Sequence, residues 1–382
     1  MSKFVHLHNH TEYSLLDGLS RIKKLFTHVK ENGMDAIAIT DHGTMYGAIE
    51  FFKEGKKQEV KPIIGLEGYV TRDMNTKVKD NFHVTLLAKN YEGYKNLMEL
   101  TSIAHLEGYY YKPRFSKEIL EKHKEGLICF SGCPAAEIPQ YLIDDNYNEA
   151  KKLTEWYADC FKDDFYIEIQ RHNYEKILPE ITDTALKSTL ANVASENKKV
   201  EEGVIKLSRE LGIPLVATND AHYIKKQDAE AQDALLCIAT GKNVSDIKRM
   251  RYIDNPDFFV KSSDEMSQIF KDLPDAIENT VKIAEKCNLE IPIGSWSFPK
   301  YNLPKDKTDA LYLEELAWEA LPDKIEKVTD EAKERVKYEL GIINTKGYAP
   351  YFLIVRDMVN WCLQNGFKKR SNGKLYVNGL TV

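Results

Sequence analysis

Residues 4–11 read Phe4-Val5-His6-Leu7-His8-Asn9-His10-Thr11, and residues 36–43 read Ala36-Ile37-Ala38-Ile39-Thr40-Asp41-His42-Gly43. Each is a short, largely apolar run that ends on imidazole or carboxylate side chains. That is the pattern of a buried strand with polar groups at its end. Working outward, similar β-rich runs recur at Pro62–Val70, His83–Ala88, Gly126–Phe130, Phe165–Gln170 and Pro214–Thr218, with Phe4–His8 and Ala36–Thr40 as the first two. Amphipathic helical stretches separate them at Arg21–Glu31, Tyr46–Glu54, Tyr91–His105, Asn148–Cys160 and Val200–Leu211. Strand–helix alternation predicts an α/β fold with parallel pairing through right-handed crossovers. Seven such strands suggest a barrel-like β/α arrangement rather than an open sheet.

Further along, the polar segment Ile177–Lys199 reads as a solvated helix or loop inserted between two barrel strands. From about Leu273 the strand signals stop. Residues Asp275–Cys287, Leu311–Leu321, Asp330–Lys346 and Ala349–Gln364 carry apolar residues at helical spacing, and Pro292, Pro299 and Pro304 punctuate a connector. The expected division is therefore 1–272, a helical segment 273–365, and a tail 366–382 with an Asn378-Gly379 hairpin cue.

Composition sets outer limits. The chain has 382 residues, 43% of them hydrophobic and 29% charged, as in ordinary globular proteins. Its net charge of −6 argues against broad electrostatic coating of DNA, but not against a local site made positive by bound metal. Six irregularly spaced cysteines without a CxxC pair read as reduced thiols. Cys129, Cys160, Cys237, Cys287 and Cys362 fall in apolar patterns and read as core. The longest apolar runs are too short to span a membrane, and Met1-Ser2-Lys3-Phe4 leads into a strand without a signal-peptide core. The expected setting is cytoplasmic, with no membrane partner.

The chemistry lies where acids and histidines meet strand ends. His8 and His10, two apart, share one face. Asp17-Gly18 follows seven residues later, and Asp41-His42-Gly43 closes the second run. Glu67 lies within the third run, His83 opens the fourth, and Cys133 follows the fifth. Asp220 and His222 again share a face after the last. With Asp41 set aside, these are nine potential ligands, and strand ends of a β/α barrel converge on one rim. Imidazoles, carboxylates and one thiol suit zinc, manganese or iron rather than calcium. By contrast, His28, His105 and His123 sit among charged residues in or beside helices and read as solvated. His6 and His172 read equally as partners that orient ligands or as ordinary packing.

The stretches HLHNHTEYSLLDG, AITDHGTMYG, GLEGYV, FHVTLLAKN, YYYKPRFS, SGCPAAEIPQ and ATNDAHYI together resemble the PHP domain of bacterial DNA polymerase III alpha subunits. The likeness runs from about residue 4 to about residue 365. YYYKPRFS and SGCPAAEIPQ are features of the polymerase branch. DAIENTVKIAEKCNLEI and KGYAPYFLIVRDMVNWC resemble the lead-in to a polymerase palm. The resemblance implies a distorted (β/α)7 barrel of PHP type followed by a small α-helical segment. It also implies a trinuclear centre of Zn2+ and/or Mn2+, or Fe2+, with one ion on His8, His10, Glu67 and Asp220. Glu67 would bridge to a second on His83 and Cys133, while Asp17, His42 and His222 hold the third.

Three divalent ions outweigh the charge of Asp17, Glu67, Asp220 and a Cys133 thiolate, so a phosphate ester would be drawn in. Asp17, Glu67 and Asp220 are the candidate catalytic carboxylates. The implied activity is metal-dependent phosphoester hydrolysis, specifically 3′→5′ exonuclease removal of nucleotides from a DNA primer end. No polymerase activity is expected from these residues, which stop before any palm. Implied partners are other replicative subunits or the remaining polymerase region. The alternatives are a metal-stabilised scaffold without hydrolysis, and a free-standing PHP phosphoesterase or pyrophosphatase. Arg21 and Lys112-Pro113-Arg114 read as solvated surface or, less readily, phosphate contacts.

Overall fold

Seven strands form one curled sheet: β1 (Ala36–Ile39), β2 (Lys61–Thr71), β3 (Phe82–Ala88), β4 (Arg114–Ser116), β5 (Leu127–Phe130), β6 (Phe165–Gln170) and β7 (Leu215–Thr218). Their order is β1-β2-β3-β5-β6-β7, with β4 paired to the far end of β2. The computed structural model describes residues 3–247, 249–294 and 298–365, and the backbone of 368–369, 375–377 and 380–381. Contacts divide it into two compact units, Met1–Ile291 and Pro292–Val382.

The sheet departs from the expected all-parallel pattern at β3, which runs antiparallel to both β2 and β5. The β2–β3 connection, residues 72–81, contains no helix, and a parallel partner would need a longer crossover. The remaining neighbours, β1–β2, β5–β6 and β6–β7, are parallel. Short β4 had no strand signal of its own.

Phe4–His8, expected as a strand, forms none; residues 4–11 are held by isolated bridges instead. His6 and Asn9 carbonyls accept from Ala38 and Thr40 beside β1, and His10 N–H donates to Ala221 O at 2.8 Å beyond β7. The segment thus joins the two ends of the curled sheet. The Asn9 amide donates to the carbonyls of His6 and Ala38, both at 3.1 Å, so a side chain stands in for ladder bonds.

Period-2 alternation divides the sheet into two faces. One face packs Ile37, Ile39, Leu66, Val84, Leu86 and Ile167 into the main core beneath the helices. The other carries Ala36 and Ala38, Ile63, Leu87, Ile128 and Phe130, Tyr166 and Val216 into a second cluster, closed by Ile283, Ala284 and Cys287. These last three lie in or just after the helix Pro274–Lys286. Thr280 of that helix accepts from Val5 N–H, and Asn279 donates to Leu215 O. The sequence reading grouped this helix with the later ones, whereas its contacts place it in the first unit. The polar stretch at 177–199 mostly joins one long helix, Thr184–Leu211, capped by Asp183 and ended by Gly212 at positive φ.

In the second unit, helices Asp309–Lys324, Asp330–Thr345 and Ala349–Gln364 surround Leu313, Leu340, Ala349 and Leu353. Thr308 and Thr329 cap the first two. Strands Leu375–Val377 and Leu380–Thr381 pair antiparallel, as the hairpin cue predicts, while Asn378 and Gly379 lie outside the described residues. Among the described residues, no helix is long and apolar enough to cross a membrane.

Arg114 corrects another expectation. Its side chain is fully buried and donates to backbone carbonyls of Gly108 (3.1 Å), Val78 (2.6 Å) and Thr76 (3.3 Å). It is an internal clamp between two loops, neither surface nor a phosphate contact. Arg114→Lys keeps the charge but loses the planar fork. It should therefore destabilise the protein by about 2–4 kcal/mol in denaturant unfolding.

Candidate metal centre

The second face of the sheet changes character along its length. In β2 it runs Ile63, Gly65, Glu67; in β3, Leu87, Thr85, His83; in β6, Tyr166, Glu168; and in β7, Val216, Thr218. The apolar end is closed by the helix Pro274–Lys286, and the polar end opens as a rim. Because β3 is antiparallel, its beginning reaches that rim, which is why His83 opens a strand while the other donors lie within or after theirs.

All nine donors expected from sequence meet there. Glu67, wholly buried, lies at the centre. Its Oε1 lies 3.1 Å from His8 Nε2 and 2.9 Å from His83 Nδ1, and Oε2 lies 2.5 Å from His42 Nδ1 and 3.6 Å from His10 Nε2. Asp220 Oδ1 is 3.1 Å from His10 Nε2 and 3.4 Å from His8 Nε2. Asp17 reaches His42 at 3.1 Å and His222 at 4.0 Å. Cys133 Sγ sits 3.3 Å from His83 and 3.5 Å from Glu67. Ligands about 2.0–2.3 Å from a tetrahedral ion lie about 3.3–3.7 Å apart, a spacing met by His8–Asp220, His10–Glu67, His83–Cys133 and Glu67–Cys133, while several other pairs sit closer. Donor atoms of His8, His10 and Asp220 fall within one ligating radius, as do those of His42, Glu67 and His83, and of His10, His42 and His222.

Local structure fixes each donor. Asp17 leaves a turn whose closure needs Gly18, since a Cβ there would lie 2.1 Å from Thr11 O. Asp220 has φ +50°, a left-handed conformation that Asp tolerates better than most residues. Neighbours also occupy the Nδ1 atoms. His8 Nδ1–H donates to Glu168 at 2.6 Å, His10 Nδ1–H to Ser14 Oγ at 2.9 Å, and His222 Nδ1–H to Asp220 O at 2.8 Å. Each arrangement leaves the Nε2 lone pair facing the centre.

The fit to metal rests on unpaired atoms. His8 Nε2, His10 Nε2, Asp17 Oδ1, His42 Nδ1, Glu67 Oε2 and Asp220 Oδ1 are all buried without a well-formed hydrogen bond. Buried polar atoms are normally satisfied, so a cluster of exceptions on facing donors suits cations. Electrostatics agree. Burial raises carboxyl pKa values, yet His83, His42 and His8 hold Glu67 well below its ordinary range. Surrounding imidazoles likewise hold Asp17 and Asp220 low. Burial would lower His8, but Glu168, Asp220 and Glu67 carry it well above its usual value. Glu67 and Asp17 push His42 up to about 10 against burial. Burial, His42 and His222 drop His10 to about 3. Burial pushes the Cys133 thiol up, so its thiolate calls for an adjacent cation.

The sequence reading missed the supporting residues. Glu168 is buried, accepts from His8 and Thr218, and interrupts an otherwise apolar strand, which was its only signal. Asp41, set aside from the candidate ligands, accepts from Thr11 and Ser14 and so sets the turn that carries Asp17. His6 and His172 donate from Nε2–H to Lys261 O and Asn219 O. His28, His105 and His123 are half-buried and hydrogen-bonded rather than solvated. Asp17, His42, His83, Cys133, Asp220 and His222 open onto a cavity of about 250 Å3 that Tyr252 and Phe258 also line.

Residues 6–172 match the family described as PHP domain, and residues 311–373 match the bacterial DNA polymerase III alpha NTPase domain. Asp220 and His222 lie beyond the first match. DNA polymerase III subunit alpha of Borreliella burgdorferi is 42% identical over 372 residues, covering 95% of this chain and 31% of that protein. The same subunit of Helicobacter pylori is 39% identical, with 95% and 31% covered, and that of Thermus aquaticus is 36% identical, with 95% and 34% covered. The likeness to the PHP region of these subunits, read from the motifs, is borne out. The chain spans about a third of the length of these curated relatives. Among solved structures, a putative metal-dependent phosphoesterase from Bifidobacterium adolescentis is similar over 57% of this chain and 87% of its own, at 15% identity and a TM-score of 0.28.

Two outcomes are expected. Glu168→Gln keeps the volume but weakens the hold on His8. It should lower affinity for the tightest ion by about 10–100-fold, measured by competition with a chromophoric chelator. The second concerns pH. Burial, the largest cause, lowers His6 and His172 from 6.5 to about 4. The unfolded chain therefore binds their protons first. Their contribution to stability is complete above pH 6.5 and lost as pH falls toward 4. In EDTA, replacing both with Gln should flatten the fall of Tm across that interval.

Proposed function

We propose that this chain performs metal-dependent phosphoester hydrolysis, removing nucleotides in the 3′→5′ direction from a DNA primer end. The observation that carries this reading is the convergence of unpaired donor atoms on a rim that opens to a cavity. In the proposed assignment three ions, zinc, manganese or iron, are shared as the family likeness implies. His8, His10, Glu67 and Asp220 hold the first, Glu67, His83 and Cys133 the second, and Asp17, His42 and His222 the third. Such ions lower the pKa of bound water toward about 7 and offset charge on phosphoryl oxygens.

The chain's own groups divide the remaining work. Glu67 has imidazoles at both oxygens, His8 and His83 at Oε1 and His42 and His10 at Oε2, so it would help to hold more than one ion. Asp17 and Asp220 are the partly exposed carboxylates, with side chains 26% and 12% accessible, and face incoming substrate. Tyr252 and Phe258 stack at 4.4 Å beside His222 and exclude water from one wall. DNA and other replicative proteins are the partners this reading calls for, in the cytoplasm.

A second reading is a metal-stabilised scaffold, favoured by the complete burial of His8 and Glu67 and by donors drawn from distant segments. The deciding experiment is shortening of a mismatched, labelled primer–template by metal-loaded protein. Wild type should shorten the primer, whereas His8→Ala, Asp220→Ala and a chelated control should not. Protein that retains its metals by elemental analysis but leaves the primer intact would assign the centre to the scaffold role.

A further inference from the structure

Beside the metal rim stands a lip that the hydrolytic reading does not use. Tyr109 and Tyr111 are 62% and 63% exposed, large aromatic surface for a protein to leave in water. Tyr111 also has φ +60°, where a bulky side chain is strained. Strain at a surface aromatic suggests that the ring's placement matters more than local stability. The lip is rigidly backed. The buried Arg114 clamps residues 76–80 to Gly108 through their carbonyls, and its guanidinium lies 5.3 Å from the Tyr110 ring.

The lip is joined to the metal centre. His105 Nε2–H donates to Gly43 O next to His42, and Tyr109 stacks on His105 at 6.4 Å. Pro113 packs so closely on Gly43 that a Cβ there would lie 2.7 Å from its ring. Lys112 Nζ sits 5.2 Å from the Tyr69 ring, which lies 5.1 Å from His83 and 6.2 Å from His42. Lys79 Nζ is 4.1 Å from the Tyr111 ring. Flat aromatic faces interleaved with ammonium groups are the combination that binds single-stranded nucleic acid, rings stacking on bases while cations meet phosphates.

We propose that Tyr109 and Tyr111, with Lys79 and Lys112, form a stacking platform for the unpaired bases of single-stranded nucleic acid entering the metal rim. The choice of nucleic acid rests on the phosphoester reading above, but binding can be measured without hydrolysis. The whole chain is titrated against a fluorescent phosphorothioate oligothymidylate of about 12 nucleotides, followed by anisotropy. Tyr111→Gly relieves the positive φ, so this variant should unfold at the wild-type temperature or higher while binding about tenfold more weakly. Tyr111→Phe should bind as wild type. Lys79→Gln and Lys112→Gln should each reduce the salt slope by up to about one. Duplex DNA of equal length should compete poorly.

Wild-type affinity in Tyr111→Gly, or equal competition by duplex, would overturn the platform. So would absence of any binding at low salt, which would leave the tyrosines to a protein partner. Each of these results is independent of whether the primer is shortened. An active hydrolase without the platform and a platform beside an inactive centre are therefore separable outcomes.

Discussion

One buried carboxylate sets the terms for the rest of the site. Glu67 has no solvent contact, and an ionised carboxylate there is tolerable only if compensating charge surrounds it. Three segments bring imidazoles around it: His8 and His10 from residues 4–11, His42 from just after β1, and His83 from the start of β3. Each needs a second partner to fix its ring or share its charge: Glu168 for His8, Ser14 for His10, Asp17 for His42 and Cys133 for His83. The polar network therefore extends outward in shells from one side chain. Removing an early member leaves several later ones unsatisfied.

The fold accommodates this network by alternation. A strand presents every second residue to the barrel interior, so one interior can be apolar at its closed end and polar at its rim without disturbing the outer core. Ile63 and Glu67 lie on one face of β2, as do Leu87 and His83 of β3 and Tyr166 and Glu168 of β6. A register slip of one residue would send Glu67 into the helix-facing core, where no imidazole waits. The antiparallel β3 is part of the same solution, since it delivers its first residues to the rim.

Much of this was legible in the sequence because ligand types are conspicuous at strand ends. Every donor named from the pattern reaches the rim, and six of the seven expected strands appear within a few residues of their limits. What was not legible depends on tertiary context. Asn9 breaks the first strand by offering its amide to the backbone, a competition that residue type alone does not decide. Arg114 looked like surface because arginine usually is; only carbonyls brought from 76–80 and 108 make its burial tolerable. Glu168 was overlooked because it sits inside a strand rather than at its end. The direction of β3 depends on residues 72–81, a connection without a helix and so too short for a parallel crossover.

The scaffold and hydrolase readings draw on one gradient. Exposure rises across the cluster, from none at His8 and Glu67 to 14% at the His42 side chain, 17% at His83 and 26% at Asp17. On the proposed assignment, the deepest ion would be held by His8, His10 and Glu67, all buried, with Asp220 alone reaching the cavity edge, so most of its binding energy would be folding energy. Asp17 and His83 lie at the cavity edge, so any ion that they would hold could also take water or a phosphate oxygen as ligand. A single donor set thus supports both roles, separated by depth. On the proposed reading, hydrolysis would need the outer donors occupied as well as the inner ones, and an inner ion alone would stabilise the fold without turnover.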